Sequence, residues 1–177
     1  MNLRQPFSGD YPITLDYGAV WKPVYSPAHP HKGIDYGCPS GTPVLAAADG
    51  RVLRIGYEAK GYGTYILLRH GGGSGTVYAH LQGTAVSPNM EVKKGSLLAY
   101  SGNTGNSSGP HLHFEYRTEA GKISTAADPR LLIQSAQDPV PVQGVQTAAD
   151  GQFPQLIDGG LCEIICPAAN VRDAEAF

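Results

Sequence analysis

Glycine and proline divide this chain into short pieces. Its 177 residues include 23 glycines and 14 prolines, roughly a fifth of the whole, so turns recur along its length. The apolar runs between them have the length of strands. With 41% hydrophobic residues and no strict glycine period, neither a collagen-like helix nor wholesale disorder fits. Short apolar runs separated by turn residues point to a mostly β fold. The length suits one compact domain with room for an appended segment.

Thr42 to Ala46, Arg51 to Ile55, Gly63 to Arg69, Thr76 to Leu81, Leu97 to Tyr100 and His111 to Arg117 read as strands. Asp49-Gly50 lies between the first two and predicts a hairpin that pairs them. Gly71 to Gly75 predicts a loose turn, after which Thr76 to Leu81 returns antiparallel to Gly63 to Arg69. A short helix is expected from Pro129 to Gln134 behind an Asp128 cap. The expected architecture is an antiparallel β-sheet core with flanking loops and a short C-terminal segment. Residues 1–135 form the expected domain. Beyond Ser135 periodicity fades, and Gln137 to Gln143, with Pro139 and Pro141, reads as a linker. Residues 136–177 are then linker and tail, with an apolar run from Leu156 to Pro167 able to dock on the domain or on a partner.

Charge narrows the partners. Thirteen Lys and Arg stand against 15 Asp and Glu, a formal net charge of −2. Lys93-Lys94 is the longest basic cluster, so nothing supports a nucleic-acid partner. No stretch approaches the roughly 20 apolar residues that span a bilayer. Met1 to Asp10 lacks the apolar centre of a secretory signal, so work outside the cell is expected to need another export route or release at lysis. Cys38, Cys162 and Cys166 are too few for a disulfide framework. Small buried or free thiols are the expectation, although Cys162 and Cys166 are spaced to touch on a helix.

The six histidines matter through their spacing. His31 and Asp35 put an imidazole and a carboxylate within five residues. His111 and His113 are two apart in a strand, on one face and about 6–7 Å apart. His80 falls in another strand, expected on the same face as Tyr78. Together they offer nitrogen and oxygen donors for a borderline-soft cation such as Zn²⁺. Spacing does not assign roles, since His111 and His113 can each bind one metal. Read from the residues, this is a metal site with surplus histidines.

The motifs His31-Lys32-Gly33-Ile34-Asp35-Tyr36-Gly37, Tyr78-Ala79-His80-Leu81 and Gly109-Pro110-His111-Leu112-His113-Phe114-Glu115 occur in the order seen in M23 metallopeptidases of the lysostaphin and LytM type. Gly41 to Val44 through Asp49 to Val52 resembles that family's first core hairpin. Val92 to Gly95 and Ser101 to Gly109 resemble its later turns, and Asp128-Pro129 with Leu131-Leu132 its domain end. The resemblance covers roughly residues 5–135, and three ordered motifs together are specific.

That resemblance implies His31, Asp35 and His113 as ligands of one Zn²⁺ per chain. It implies His80 and His111 as unligated catalytic histidines, with Tyr25, six residues before His31, where some members place a transition-state-stabilising tyrosine. His29 matches no ligand position and is expected to be an exposed loop residue, and His70, at a strand end, is expected to be structural. Glu115 shares the strand face of His111 and His113 and is expected to orient a histidine. Glycine-rich connections at Lys60 to Gly63, Gly71 to Gly75 and Gly102 to Gly109 are expected to flank a groove, lined by Tyr57, Tyr62 and Tyr65.

The implied function is a zinc endopeptidase acting at the bacterial cell wall on peptidoglycan, in the stem peptide or the cross-bridge. With no leader visible, a phage lysin or virion-associated enzyme is the expected setting, with a phage tail or virion component as a second partner. The alternative is a non-catalytic relative that activates cell-wall amidases or serves as a structural virion component. Full occupancy of the motif positions argues against it.

Overall fold

The computed structural model describes residues 1–20 and 27–133. Tyr25, Cys162, Cys166 and the linker and tail expected over 136–177 lie outside the described residues. Among the described residues ten strands pair antiparallel: β1 (Ile13–Leu15), β2 (Ile34–Tyr36), β3 (Pro43–Leu45), β4 (Gly50–Glu58), β5 (Gly63–Arg69), β6 (Gly75–Thr84), β7 (Glu91–Val92), β8 (Leu97–Ser101), β9 (Leu112–Arg117) and β10 (Ala126–Ala127). Across the sheet the order is β1-β2-β9-β6-β5-β4-β7, with β10 on β9, β8 on β6 and β3 on β8. The antiparallel core expected from the sequence is thus present. Among the described residues no helix is long and apolar enough to cross a membrane.

Alternation divides the sheet into two chemically different faces. Ile34 and Tyr36 of β2, Ile66 and Leu68 of β5, Tyr78 of β6 and Leu112 and Phe114 of β9 join the main apolar core. Their neighbours Asp35, His113, Glu115 and Arg117 are buried as well, on the opposite face. A smaller cluster of Tyr65, Leu67, Val77, Ala79 and Ala120 supports that second face.

The hairpin predicted at Asp49-Gly50 does not form. β3 pairs with β8, Val44 opposite Ala99, whereas β4 pairs with β5 and β7. Between β3 and β4 the buried alanines Ala46, Ala47 and Ala48 carry the chain through the core. Ala46 bonds there to Ser96 and Gly95, and Ala47 accepts from Arg4. The Asp49 carboxylate accepts instead from the Lys94 backbone N–H at 2.8 Å and from Lys93 Nζ at 3.0 Å. The turn chemistry is real, but it meets the bend after β7. The hairpin between β5 and β6 forms as expected, with a single-turn 3₁₀ helix at Gly71–Gly73.

The helix predicted behind Asp128 is one 3₁₀ turn, Pro129–Leu131, with the Asp128 side chain accepting from the Arg130 backbone N–H. It stops early because Leu132 and Ile133 turn to meet the N-terminus. Leu3 donates its N–H to the Leu132 carbonyl at 2.8 Å and bridges Ile133. Leu3 and Phe7 lie in the main core, so the first residues are part of its packing.

His70 is structural, as expected. It is 4% exposed, with Nδ1 donating to the Asp49 carbonyl at 2.8 Å and Nε2 facing Thr76 Oγ1 at 2.9 Å. Burial pushes its pKa below the ordinary 6.5, partly opposed by the Asp49 carbonyl and charge. The folded ring therefore refuses a proton that the unfolded chain accepts below about pH 6.5. His70→Gln is expected to lose about 1–3 kcal/mol at neutral pH through its unpaired neighbours. That difference from the parent should shrink as pH falls below about 6.5, where the parent alone carries the unfavourable linkage. Urea titrations of both proteins across about pH 5–8 would show this. A difference independent of pH would refute it.

Candidate metal centre

Three side chains from two segments converge on one point. Asp35 of β2 and His113 of β9 are direct cross-strand partners and therefore share a face. His31 stands just before β2, fixed by backbone bonds: its N–H donates to the Ala19 carbonyl, and its carbonyl accepts from Gly18. An exposed Arg130–Asp16 ion pair, 2.6 Å, also holds the neighbouring stretch that carries Gly18 and Ala19. Such pairs contribute about 0–1 kcal/mol, so the backbone bonds do most of the positioning. His31 Nε2 lies 2.9 Å from His113 Nδ1 and 3.1 Å from Asp35 Oδ1, and His113 Nδ1 lies 2.8 Å from Asp35 Oδ1.

The tautomers show what this triangle is suited to hold. His31 Nδ1 donates to the Asp16 carbonyl at 2.8 Å, which leaves a lone pair on Nε2 in the neutral ring. His113 Nε2 donates to Glu115 Oε1 at 3.1 Å, which leaves a lone pair on Nδ1. Two lone pairs and a carboxylate oxygen then face one another, an arrangement that a shared positive charge relieves. Burial pushes the His113 pKa down, but hydrogen bonds and charge from Asp35 and Glu115 outweigh it and raise the pKa to about 9. For Asp35, burial acts upward, yet its bonds to His113 and His31 hold the carboxyl well below the usual carboxylate range. Donors about 2.0–2.1 Å from one tetrahedral ion stand about 3.3 Å apart, so small side-chain adjustments suffice. Among the described residues His31, Asp35 and His113 are the group of this kind able to hold a metal ion. Two imidazoles and a carboxylate suit Zn²⁺.

His80 and His111 stand beside the triangle. Strict alternation would turn His80 toward the core with Tyr78, the face expected from the sequence. The structure corrects this. Tyr78 opposes Ile66 and Leu81 opposes Thr64, so Ala79 and His80 share one partner in a bulge. His80 there takes φ +60°, a conformation uncommon outside glycine. The bulge carries the ring to the metal face, 4.6 Å from the His111 ring and 5.9 Å from the His113 ring. His80 Nδ1 donates to the Thr104 carbonyl at 2.7 Å, leaving Nε2 as the acceptor. Burial pushes its pKa to about 4 against that hydrogen bond, so the ring is neutral at physiological pH. Gly63 and Gly105, at φ +59° and +75°, permit the approach of Thr104, because a Cβ on Gly63 would run into the Thr104 backbone. His111 Nδ1 donates to the Gly109 carbonyl at 2.8 Å, and its Nε2 stands 3.8 Å from Asp35 Oδ2.

Behind His113 the fully buried Glu115 joins a network of three side chains. Its Oε1 also accepts from the Tyr62 hydroxyl at 2.5 Å, and its Oε2 accepts from Arg117 Nε and Nη2, each at 2.8 Å. Arg117 Nη2 reaches the Tyr62 oxygen at 3.1 Å. Burial pushes the Glu115 pKa up, but His113, Arg117 and Tyr62 outweigh it. Burial and the Glu115 charge drive the Tyr62 hydroxyl well above the usual range. Among the described residues every buried side-chain polar atom has a partner. Glu115 thus lies where the sequence predicted it, whereas the parts played by Tyr62 and Arg117 and by three backbone carbonyls had no local signal.

An open groove of about 460 Å³ runs over Asp35 and His111, walled by Thr14, Leu15, Ser108 and Pro110. Of the expected glycine-rich borders, Gly102 to Gly109 and Lys60 to Gly63 meet the site. Gly71 to Gly75 does not, since it bonds to Ala120 and borders depressions around Arg69. Tyr65 packs in the smaller cluster, and Tyr57 is 65% exposed. His29 is exposed. A larger depression of about 550 Å³ around Arg51, Arg69 and Lys93 contains none of the converging donors.

A family profile described as Peptidase family M23 matches residues 29–126. A protein of Haemophilus influenzae named as an uncharacterized metalloprotease is 51% identical over 102 residues, 58% of this chain and 22% of that protein. The DD-carboxypeptidase/endopeptidase Mpg of Neisseria meningitidis is 40% identical over 112 residues, 63% of this chain and 26% of that protein. The chain therefore aligns with a quarter or so of these relatives' length. Among solved structures, the catalytic domain of the antimicrobial peptidase lysostaphin from Staphylococcus simulans superposes with a TM-score of 0.63 at 33% identity. That match covers 68% of this chain and 90% of the other.

Proposed function

Because this chain belongs to peptidase family M23, we propose that it is a zinc-dependent endopeptidase that hydrolyses peptide bonds of bacterial peptidoglycan. The observation that carries the proposal is the convergence of His31 Nε2, Asp35 Oδ1 and His113 Nδ1 beside two further imidazoles. The names of the relatives, a metalloprotease, an endopeptidase and an antimicrobial peptidase, support it. Peptidoglycan is accordingly the proposed partner and the cell wall the proposed place of action.

His31, Asp35 and His113 would hold the zinc ion. A divalent cation in such a site supplies Lewis acidity to a carbonyl oxygen and makes water nucleophilic at neutral pH. The remaining steps belong to the chain's own side chains. Neutral His80, with its Nδ1 proton committed to Thr104, presents Nε2 to take a proton from the attacking water. His111, with its Nδ1 proton committed to Gly109, presents a second Nε2 acceptor to the same space, 4.6 Å ring to ring from His80. The proton taken from the water is held between these two rings, where its charge stabilises negative charge developing on the substrate, and is then delivered to the leaving amine. The groove walled by Thr14, Leu15, Ser108 and Pro110 has room for an extended peptide. An activator without catalysis would not need both extra imidazoles held in defined tautomers.

The test is mass spectrometry of fragments released from purified peptidoglycans by zinc-loaded protein, with a chelator-treated control. New peptide termini that appear only with zinc are expected, and they identify the bond. No release from several wall types by fully metallated protein would overturn the proposal.

A further inference from the structure

The Tyr62 hydroxyl lies outside the donor triangle, and the catalytic steps above make no use of it. Yet it is held between two charged groups in a buried setting. It donates to Glu115 Oε1 at 2.5 Å and accepts from Arg117 Nη2 at 3.1 Å. Glu115 is fully buried and Arg117 is 6% exposed. We propose that Tyr62 is a positioning residue that tunes how tightly His113 holds the metal, acting through the Glu115 carboxylate. This rests on the zinc reading above.

The argument lies in how Glu115 divides its two oxygens. Arg117 places both Nε and Nη2 on Oε2, so Oε1 is left for Tyr62 and His113. A guanidinium facing a carboxylate favours the two-pronged arrangement with one prong on each oxygen. That arrangement would put Nη2 on Oε1 and compete with His113 Nε2–H for it. The Tyr62 hydroxyl prevents this from both sides, because its oxygen engages Nη2 and its proton engages Oε1. Oε1 then stays aimed at His113 Nε2, 3.1 Å away. The His113 tautomer is fixed, and the Nδ1 lone pair stays on the side of His31 and Asp35.

Tyr62 is itself well held. Its carbonyl accepts from the His80 backbone N–H at 2.8 Å, and its ring lies 5.7 Å from the His113 ring and 5.6 Å from the Tyr65 ring. The residue therefore meets the strained bulge through its backbone and the metal face through its hydroxyl. Tyr62→Phe removes the second contact and keeps the first.

The test is zinc affinity of the full chain, measured by competition with a chromophoric chelator, for the parent, Tyr62→Phe, Glu115→Gln and the double variant. Loss of a partner behind a metal-binding histidine weakens metal binding by about 10–100-fold. Glu115→Gln is expected in that range and Tyr62→Phe near its lower end. The double variant is expected to bind no more weakly than Glu115→Gln alone, because Tyr62 works through Glu115. In the zinc-loaded protein, nitrogen-15 spectra of the imidazoles should show the His113 Nε2–H signal moved by Tyr62→Phe and the His31 signals unmoved. Thermal melting of each variant separates misfolding from this effect. Parent-like affinity in a folded Tyr62→Phe protein, or fully additive losses in the double variant, would overturn the inference. Absence of zinc binding by the parent would overturn the zinc reading and this inference with it.

Discussion

Asp35→Ala is expected to leave a folded protein that binds no stoichiometric zinc and hydrolyses peptidoglycan at least about 10³-fold more slowly, the equivalent of several kcal/mol of lost electrostatic stabilisation. Asp35 Oδ1 is the shared corner of the donor triangle, 2.8 Å from His113 Nδ1 and 3.1 Å from His31 Nε2. It is also the triangle's negative charge. Without it, two neutral imidazoles remain, too few donors for a closed or catalytic zinc site. The fold should survive, because Asp35 contributes to the sheet through its backbone pairing with His113 and Leu15. Its neighbours Ile34 and Tyr36 supply the core contacts. Metal content after gel filtration and release of soluble wall fragments read the two effects separately. An Asp35→Ala protein that keeps one equivalent of zinc would exclude the proposed donor set.

His80→Ala is expected to separate metal binding from catalysis. The variant should retain zinc, since none of its ligands is lost, while hydrolysis falls by about 10²- to 10⁴-fold, the usual contribution of a positioned general acid or base. His111→Ala should fall in the same range. If the two rings, 4.6 Å apart, act on one proton inventory, the double variant will lose much less than the product of the single losses. His80 is expected to act as a base in its neutral state, because burial holds its pKa near 4. Hydrolysis at parental rates by zinc-loaded His80→Ala would remove His80 from the reaction.

Much of this site was visible in the primary structure because its chemistry is written in short stretches. His31 and Asp35 are four residues apart, and His111 and His113 share a strand face by the two-residue period alone. Asp128-Pro129 signalled a helical turn because capping and proline geometry are local effects, although contact with Leu3 set its length. Glu115 was placed behind a histidine by the same alternation.

Other features depend on which segments meet. Asp49-Gly50 has the residues of a tight turn, but Val44 pairs with Ala99, and Asp49 is engaged by Lys93 and Lys94. Local turn preference is small beside a strand's full set of cross-strand partners. His80 would face the core by alternation, and the bulge at Ala79–His80 turns it toward the metal face. The carbonyls of Asp16, Thr104 and Gly109 set three histidine tautomers, yet every residue has a carbonyl, so no residue type announces them. Tyr62 reaches Glu115 across 53 positions.

The sequence by itself determined the donor types, their pairing on common faces and the β class, since these follow from side-chain chemistry and the short periods of backbone geometry. Only the tertiary structure decided the strand partners, the orientation of His80 and the network that holds His113. Each of those depends on contacts between distant segments, and local spacing carries no record of them.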